Sequence, residues 1–130
     1  MKIKNTQKSA SKLKAELDKQ FSIYIRQKFS NKDGSAKCYT CGQRKESWKQ
    51  LQCGHFISRQ YLATRYEENN CRPQCAGCNL WGGGKPLDFE EKLKKELGAK
   101  VVEKMKMKRH EITKDFPYEE KIIFYKCING

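Results

Sequence analysis

The sequence has no long hydrophobic run and contains only two histidines and three prolines. Crossing a membrane takes about 20 consecutive apolar residues, and no stretch of this chain approaches that length. The basic N-terminus also lacks the apolar segment of a signal peptide. We therefore expect no membrane partner and a cytoplasmic location. In that reducing compartment the seven cysteines are expected to be metal ligands and spare thiols rather than disulfides.

Acidic side chains are scarce beside basic ones. The chain has 15 Asp and Glu against 28 Lys and Arg, which gives a formal net charge of +13. Such an excess favours a nucleic acid as partner, because lysine and arginine release counterions from phosphates. The excess is strongest in residues 1–37, where Lys12, Lys19 and Arg26 are candidate nucleic-acid contacts. The alternative is a solvated charge excess that only keeps the chain in solution.

The length of 130 residues fits one domain, 1–130, which divides into four segments. Residues 1–11 are expected to be a loose basic tail. Residues 12–30 predict a helix, since apolar side chains recur there at steps of three and four. Residues 38–85 are rich in cysteine, glycine and asparagine and form the chemical centre. Residues 86–128 predict a helical C-terminal part.

Local patterns refine the two later segments. Short strands are expected around Trp48–Cys53 and Phe56–Ser58, with His55 on a strand after a glycine. Pro86 begins a helix that Gly98 interrupts. The last helix is expected to point four side chains inward, namely Ile122, Ile123, Tyr125 and Cys127.

Two Cys-x-x-Cys pairs frame the chemical centre, Cys38 with Cys41 and Cys75 with Cys78. Each spacing lets one tight turn offer two thiolates to an ion, and two such pairs complete a closed tetrahedral zinc site. A closed site leaves no position for water, so this zinc is expected to be structural and to contribute folding energy. The alternatives are unpaired structural cysteines and a redox pair.

A histidine and two asparagines accompany these pairs. His55, with an ordinary pKa of about 6.5, suits the removal of a proton from water at neutral pH. Asn79 directly follows Cys78, and Asn70 lies between the pairs. Their amide oxygens suit a hard cation such as Mg²⁺, which stabilises charge on a phosphate. The alternatives are that His55 is a further zinc ligand and that the asparagines are turn or capping residues.

The order CxxCG, GHF, Asn and CxxCN resembles the HNH, or His-Me finger, nucleases with an added four-cysteine zinc site. The segments FSIYIRQKF, CYTCG, CGHFISRQYLATRYEENN and PQCAGCN are similar to the phage NinG family of recombination endonucleases, also called Rap, and the similarity covers about residues 13–128. This resemblance implies an α+β fold, a small zinc-stapled ββα-metal (HNH) core flanked by N-terminal and C-terminal helices. It also implies a phage protein in the host cell cytoplasm.

The same resemblance implies an activity and the residues that perform it. The activity is Mg²⁺- or Mn²⁺-dependent hydrolysis of branched recombination intermediates such as Holliday junctions and D-loops. By position, His55 resembles the general base, Asn79 the ligand of the catalytic ion, and Asn70 the asparagine that orients the histidine loop. The four paired cysteines match the family's zinc ligands. Many HNH enzymes carry Asp or His where this chain has Gly54, so the ion is expected to depend on Asn79; whether Gln52 or Cys53 assists is open.

Basic and aromatic side chains near the centre are candidate DNA contacts. Arg59, counted with the catalytic residues, and Arg65 are each able to clamp the scissile phosphate by a two-pronged contact. Lys85, after three glycines, is a further phosphate candidate. The alternative for all three is an ordinary surface position. Trp48 and Trp81 suit stacking on unpaired bases, although core packing is the expectation for both.

Three functions compete at this point. The first is a structure-selective endonuclease, for which a homodimer would suit two symmetric cuts in a four-way junction, although no interface signal decides this. The second is a non-catalytic zinc-ribbon DNA-binding module in which His55 merely packs. The third is a zinc-stabilised protein-interaction domain that uses the basic helices. The GHF motif with its asparagines favours the endonuclease, since a mere binder needs neither.

Overall fold

The N-terminal helix α1 is longer than the sequence predicted. In the computed structural model, which describes the backbone of residues 2–130 and the side chains from Ala10 onwards, α1 spans Lys2–Lys28. The expectation of a loose tail over 1–11 is therefore wrong from Lys2 onwards, and Met1 lies outside the described residues. No glycine or proline interrupts this segment, and its lysine, glutamine and alanine residues favour the helix.

One face of α1 carries the largest apolar cluster. Leu17, Phe21 and Ile25 are buried at the three- and four-residue steps visible in the sequence. They pack against α5, which spans Tyr118–Asn129. The buried members of this cluster are Leu17, Phe21, Ile25, Tyr66, Cys71, Ile122 and Tyr125. The cluster fixes α1 and α5 against the strand that follows Asn70.

Two further helices follow the chemical centre as predicted. Helix α3 spans Pro86–Leu97 and α4 spans Ala99–Lys108, with Gly98 between them at a φ of 92° that favours glycine. They close a second cluster, formed by Ile57, Phe89, Leu93, Val102 and Met105. No helix within residues 2–130 is long and apolar enough to cross a membrane.

The inward face of α5 is narrower than expected. Ile122 and Tyr125 are buried, which confirms that part of the prediction. Ile123 is 63% exposed and Cys127 is also exposed, so the prediction was wrong for these two residues. The reason is that only the stripe of α5 facing α1 is covered, and both residues lie off it.

Two small antiparallel sheets and a short helix build the centre between these helices. Strand β1, Ala36–Lys37, pairs with β2, Arg44–Lys45. Strand β3, Gln52–His55, pairs with β4, Cys71–Gln74, and the short helix α2, Leu62–Arg65, lies between them in sequence. The fold class is therefore α+β, with helices around two two-stranded sheets.

The predicted strands differ from the observed ones. The strand expected at Trp48–Cys53 is a 3₁₀ turn over Trp48–Gln50, and the extended segment begins only at Gln52. The strand expected at Phe56–Ser58 is absent from the structure, because the Ile57 N–H donates to the side chain of Asn70, at 2.7 Å, rather than to a neighbouring strand. His55 does lie on a strand after a glycine, as predicted.

Candidate functional site

The four paired cysteines meet in one cluster, as the sequence predicted. Their sulfur atoms all lie within 4.8 Å of one another, and the Sγ atoms of Cys41 and Cys75 are 3.8 Å apart. The first pair sits in the turn between β1 and β2, and the second pair follows β4. Four thiols at this separation fit a closed tetrahedral zinc site.

Backbone hydrogen bonds reach the sulfur atoms of two of these cysteines, Cys75 and Cys38. The N–H of Cys78 donates to the sulfur of Cys75 at 3.4 Å. Burial tends to raise the pKa of the Cys38 thiol, but backbone hydrogen bonds from Cys75 and Cys41 outweigh it and lower that pKa to about 6. Because the thiolate is the form that binds zinc, these donors favour the ligand state of Cys38. The pKa of the Cys78 thiol is instead raised to about 12, because the hydrogen bond from Thr40 is outweighed by burial and by the neighbouring thiols.

The ring of His55 is held by one backbone hydrogen bond. Its Nε2 lies 2.9 Å from the carbonyl oxygen of Arg65. A carbonyl oxygen only accepts, so Nε2 carries the proton and Nδ1 carries the lone pair. Burial is the largest influence on this histidine and lowers its pKa below the ordinary 6.5, against the Arg65 hydrogen bond, which raises it. The ring is therefore uncharged at neutral pH and able to accept a proton at Nδ1.

A cavity of about 590 Å³ opens beside this ring. His55, Arg59 and Asn79 all line it, so the structure brings three of the sequence-predicted site residues together. Parts of α1 and the last two residues of the glycine segment 82–84 also line it. A phosphate entering this cavity would meet a neutral imidazole, a guanidinium and an amide.

Asn79 is held between the cysteine cluster and β3. It lies in a π-helical turn over Gly77–Trp81, directly after Cys78, and its backbone N–H donates to the carbonyl of Cys75 at 2.9 Å. Its side-chain amino group donates to Oε1 of Gln52 at 2.8 Å. Since the amino group is used in this way, Oδ1 is the atom that Asn79 has left to offer a cation.

Asn70 is fully buried and holds the loop that follows His55. Its Oδ1 accepts from the N–H of Ile57, and its Nδ2 donates to the carbonyls of Ile57 at 3.0 Å and Thr64 at 3.1 Å. All of these bonds are to backbone, so both ends of the loop from Ile57 to Thr64 are tied to one side chain. The loop leads directly to Arg65, whose carbonyl orients His55.

Gly54, the residue before His55, has a structural reason to be glycine. A Cβ at this position would collide with the side chain of Gln74, which is fully buried. Gln74 itself donates to the hydroxyl of Thr40 and to the carbonyl of Gly84, each at 3.0 Å. Gln74 therefore links the cysteine cluster to the glycine segment and leaves no room for a side chain before His55.

The two arginines of the centre have different environments. Arg59 is exposed and lines the cavity. Arg65, in contrast, pairs with Asp18 of α1 through a 2.6 Å contact, and its side chain is only 12% exposed. Tyr66 donates to the same carboxylate at 2.7 Å, which fixes the pair further. The structure thus gives Arg65 an internal partner in place of the phosphate contact expected from the sequence.

The predicted nucleic-acid contacts outside the centre also fall into two groups, exposed and half-buried. Lys12 and Lys19 are exposed on α1, and Lys85 is exposed beside the glycine segment. Arg26 instead lies half-buried, with its guanidinium 5.1 Å from the centre of the Trp48 ring. Burial lowers the pKa of Arg26. Arg26 therefore serves to pack α1 against Trp48 rather than to face solvent.

Two features of this region were not predicted from the sequence. Trp81 is 86% exposed, so the expectation that it packs in the core was wrong. Asp18, the partner of Arg65, lies beside Leu17 on α1 and gave no signal, because nothing local ties it to a residue so far along the chain. The isolated Trp-Gly-Gly-Gly run is the one pattern that points to an exposed tryptophan, since glycines offer it no packing surface.

The fold and the site define a small α+β protein in which a four-cysteine cluster suited to a structural zinc lies near a cavity lined by a histidine. The chain belongs to the NinG family, because the family model described as bacteriophage Lambda NinG protein matches residues 1–125. This match confirms the NinG resemblance found in the sequence motifs. No curated protein and no solved structure matches the chain.

Proposed function

We propose that this protein is a metal-dependent endonuclease that hydrolyses phosphodiester bonds in branched DNA, such as Holliday junctions and D-loops, during phage recombination. The observation that carries the proposal is the orientation of His55 by the carbonyl of Arg65, at 2.9 Å, which leaves Nδ1 as a proton acceptor. A histidine that merely packed in a binding module would need neither a free lone pair nor a cavity beside it.

The order of elements around His55 supports a ββα-metal (HNH) core. Strand β3 carries His55 and pairs with β4, and the helical turn Gly77–Trp81 that follows carries Asn79. Two antiparallel strands and a helical turn thus present the base and the amide to the same cavity. The cysteine cluster fixes this turn, since Cys75 and Cys78 lie at its beginning.

The donor atoms at the cavity fit a hard divalent cation. Oδ1 of Asn79 is an oxygen ligand of the kind that Mg²⁺ and Mn²⁺ prefer, and such ions keep several waters. When bound, the ion supplies positive charge that stabilises the phosphate and the leaving oxygen. The hydrogen bond from Asn79 to Gln52 positions the amide, so we assign Gln52 as a positioning residue.

The chain's own residues perform the remaining steps. His55 accepts a proton at Nδ1 from the water that attacks the phosphorus. Arg59 places its guanidinium against the phosphate, where a two-pronged contact also neutralises charge. Asn70 keeps the loop in the conformation that carries the Arg65 carbonyl to His55. The zinc cluster holds Asn79 at a fixed distance from β3.

Replacing Asn79 by alanine is expected to lower the Mg²⁺-dependent cleavage rate by about 100-fold or more, since even outer partners of a metal contribute 10- to 100-fold. The zinc content should stay unchanged, because Asn79 is not one of the four thiols. The cleavage rate is checked by measuring cleavage of a four-way junction as a function of Mg²⁺ concentration. The zinc content is checked by measuring zinc per chain in the same sample. Asn69→Ala, at a half-buried asparagine that does not line this cavity, is the matched control. Unchanged cleavage and metal dependence in Asn79→Ala would remove it as the ligand.

The exposed Trp81 suits a contact with branched DNA. It follows Asn79 closely along the chain, and Leu80, which lines the cavity, lies between them. Unpaired bases at a branch offer the flat faces that an exposed indole stacks on. Arg59, Lys85 and the exposed lysines of α1 supply phosphate contacts that are independent of DNA structure. Whether two copies act together on one junction stays a prediction.

Trp81→Ala is therefore expected to weaken binding to a four-way junction by about 5- to 150-fold, the equivalent of 1–3 kcal/mol for one stacked base. Affinity for a linear duplex should change little, because that substrate has no unpaired base to stack. Fluorescence anisotropy with both DNAs measures the ratio. Leu87→Ala, at an apolar side chain that is 83% exposed, is the control. An equal loss on both DNAs would contradict the stacking role.

A further inference from the structure

A second group of metal-ligating side chains lies on one face of the β3–β4 sheet. His55 pairs directly with Cys71 across the sheet, and Cys53 precedes His55 by two residues, so all three point to the same side. Their ligand atoms lie within 4.8 Å of one another. None of the three belongs to the Cys-x-x-Cys pairs, and the sequence did not predict that they form a group of their own.

The arrangement of this group suits a metal site with one open coordination position. Cys71 is fully buried and forms its floor, whereas Cys53 and His55 line the cavity and are reached from solvent. Three protein ligands of the Cys₂His type leave a fourth tetrahedral position for water. Because two of the three ligands line the cavity, an ion can reach this group without opening the fold.

We propose that Cys53, His55 and Cys71 form a second, thiophilic metal site, and that a soft divalent cation such as Zn²⁺ bound there inhibits the enzyme. The inhibition rests on the proposed function, in which His55 is the general base. The ion binds a ring nitrogen of His55 together with the two sulfurs, so His55 is no longer available as the base. Mg²⁺ does not compete for this site, since hard cations avoid thiolate ligands. The same cavity thus distinguishes the activating ion from the inhibiting one.

The two cysteine-containing sites differ in how firmly they hold zinc. The four-thiol cluster is closed and is completed by the fold itself. The second site has three ligands and faces the cavity, so its zinc exchanges with solvent and its occupancy follows the free zinc concentration. At a low concentration of free zinc, His55 is free to act as the base. At a raised concentration, the bound zinc occupies its ring nitrogen.

Zinc counting by native mass spectrometry tests the site independently of any activity. The wild-type protein is expected to hold one zinc per chain after dialysis against a weak chelator and to take up a second as zinc is added back. Cys53→Ser and Cys71→Ser should keep the first ion and weaken uptake of the second by about tenfold or more. Cys127→Ser, at an exposed position on α5, is the matched control. If Cys53→Ser takes up the second zinc as the wild type does, the site is wrong.

Inhibition is then measured as the zinc concentration that halves junction cleavage in Mg²⁺. Each variant is normalised to its own rate without added zinc, so a changed basal rate does not affect the comparison. We expect the midpoint of Cys53→Ser to lie at least about tenfold above that of the wild type and of Cys127→Ser. Equal midpoints would overturn the inhibition. If the wild type cleaves no DNA at all, the proposed function fails, while the zinc counts still decide the site.

Discussion

Replacing His55 by alanine is expected to lower the rate of DNA cleavage by about 10²–10⁴-fold, the contribution typical of a general base. Alanine leaves no group at this position to take the proton from the attacking water. Folding and the zinc of the four-cysteine cluster should be retained, since His55 is not among those four thiols and its ring faces a cavity rather than the interior of an apolar cluster. Single-turnover cleavage of a four-way junction measures the loss of the chemical step directly.

The second histidine of the chain provides the matched control. His110 is exposed after the end of α4, and the Tyr61 ring is 5.9 Å from it, outside the cavity lining. His110→Ala should therefore cleave like the wild type. A His55→Ala protein that cuts DNA at the wild-type rate would show that another group removes the proton.

Loss of any clustered cysteine is expected to unfold the centre of the protein. Cys38→Ser and Cys78→Ser should each lower zinc below one per chain and remove the cooperative thermal transition. Structural zinc contributes about 10–16 kcal/mol in zinc-finger peptides, which matches the whole stability of an ordinary domain at about 5–15 kcal/mol. The apolar cluster here is small and consists of three of the four ligands, Cys38, Cys75 and Cys78, with Ala36 and Leu51 as its other buried members.

The zinc measurement needs a step that removes weakly bound ions. Dialysis against a weak chelator clears an open three-ligand site before a closed four-thiolate one. Cys127→Ser controls for the loss of a thiol as such, and it should keep both the zinc and the melting temperature. One firmly bound zinc per chain in both Cys38→Ser and Cys78→Ser would refute this ligand set.

Local patterns were sufficient to predict the features whose contacts are near in sequence. The boundaries of α3 followed from Pro86 and Gly98, and the buried stripe of α1 followed from its periodicity. The cysteine cluster followed from two pairs of fixed spacing, since each pair sits in its own tight turn. In these cases the determining residues lie within a few positions of one another.

Features set by distant contacts were not predicted. Strand β4 has no alternation of apolar and polar side chains, because all four of its residues are buried, and it includes Pro73. The internal pairing of Arg65 depends on Asp18, which lies on another element. The glycine before His55 was read as a missing ligand, whereas the buried side chain of Gln74 excludes any side chain there. Each of these depends on which elements pack together, and the sequence pattern does not carry that information.

The most direct test of the central claim is a cleavage assay with the zinc-loaded wild-type protein. A labelled four-way junction and a linear duplex of matched sequence are incubated with Mg²⁺, with Mn²⁺ and with EDTA. An endonuclease built on His55 and Asn79 is expected to cut the junction in either metal, to cut the duplex more slowly, and to cut neither in EDTA. A protein that binds the junction but leaves it intact in both metals would contradict the account and would instead be a zinc-stabilised DNA-binding module.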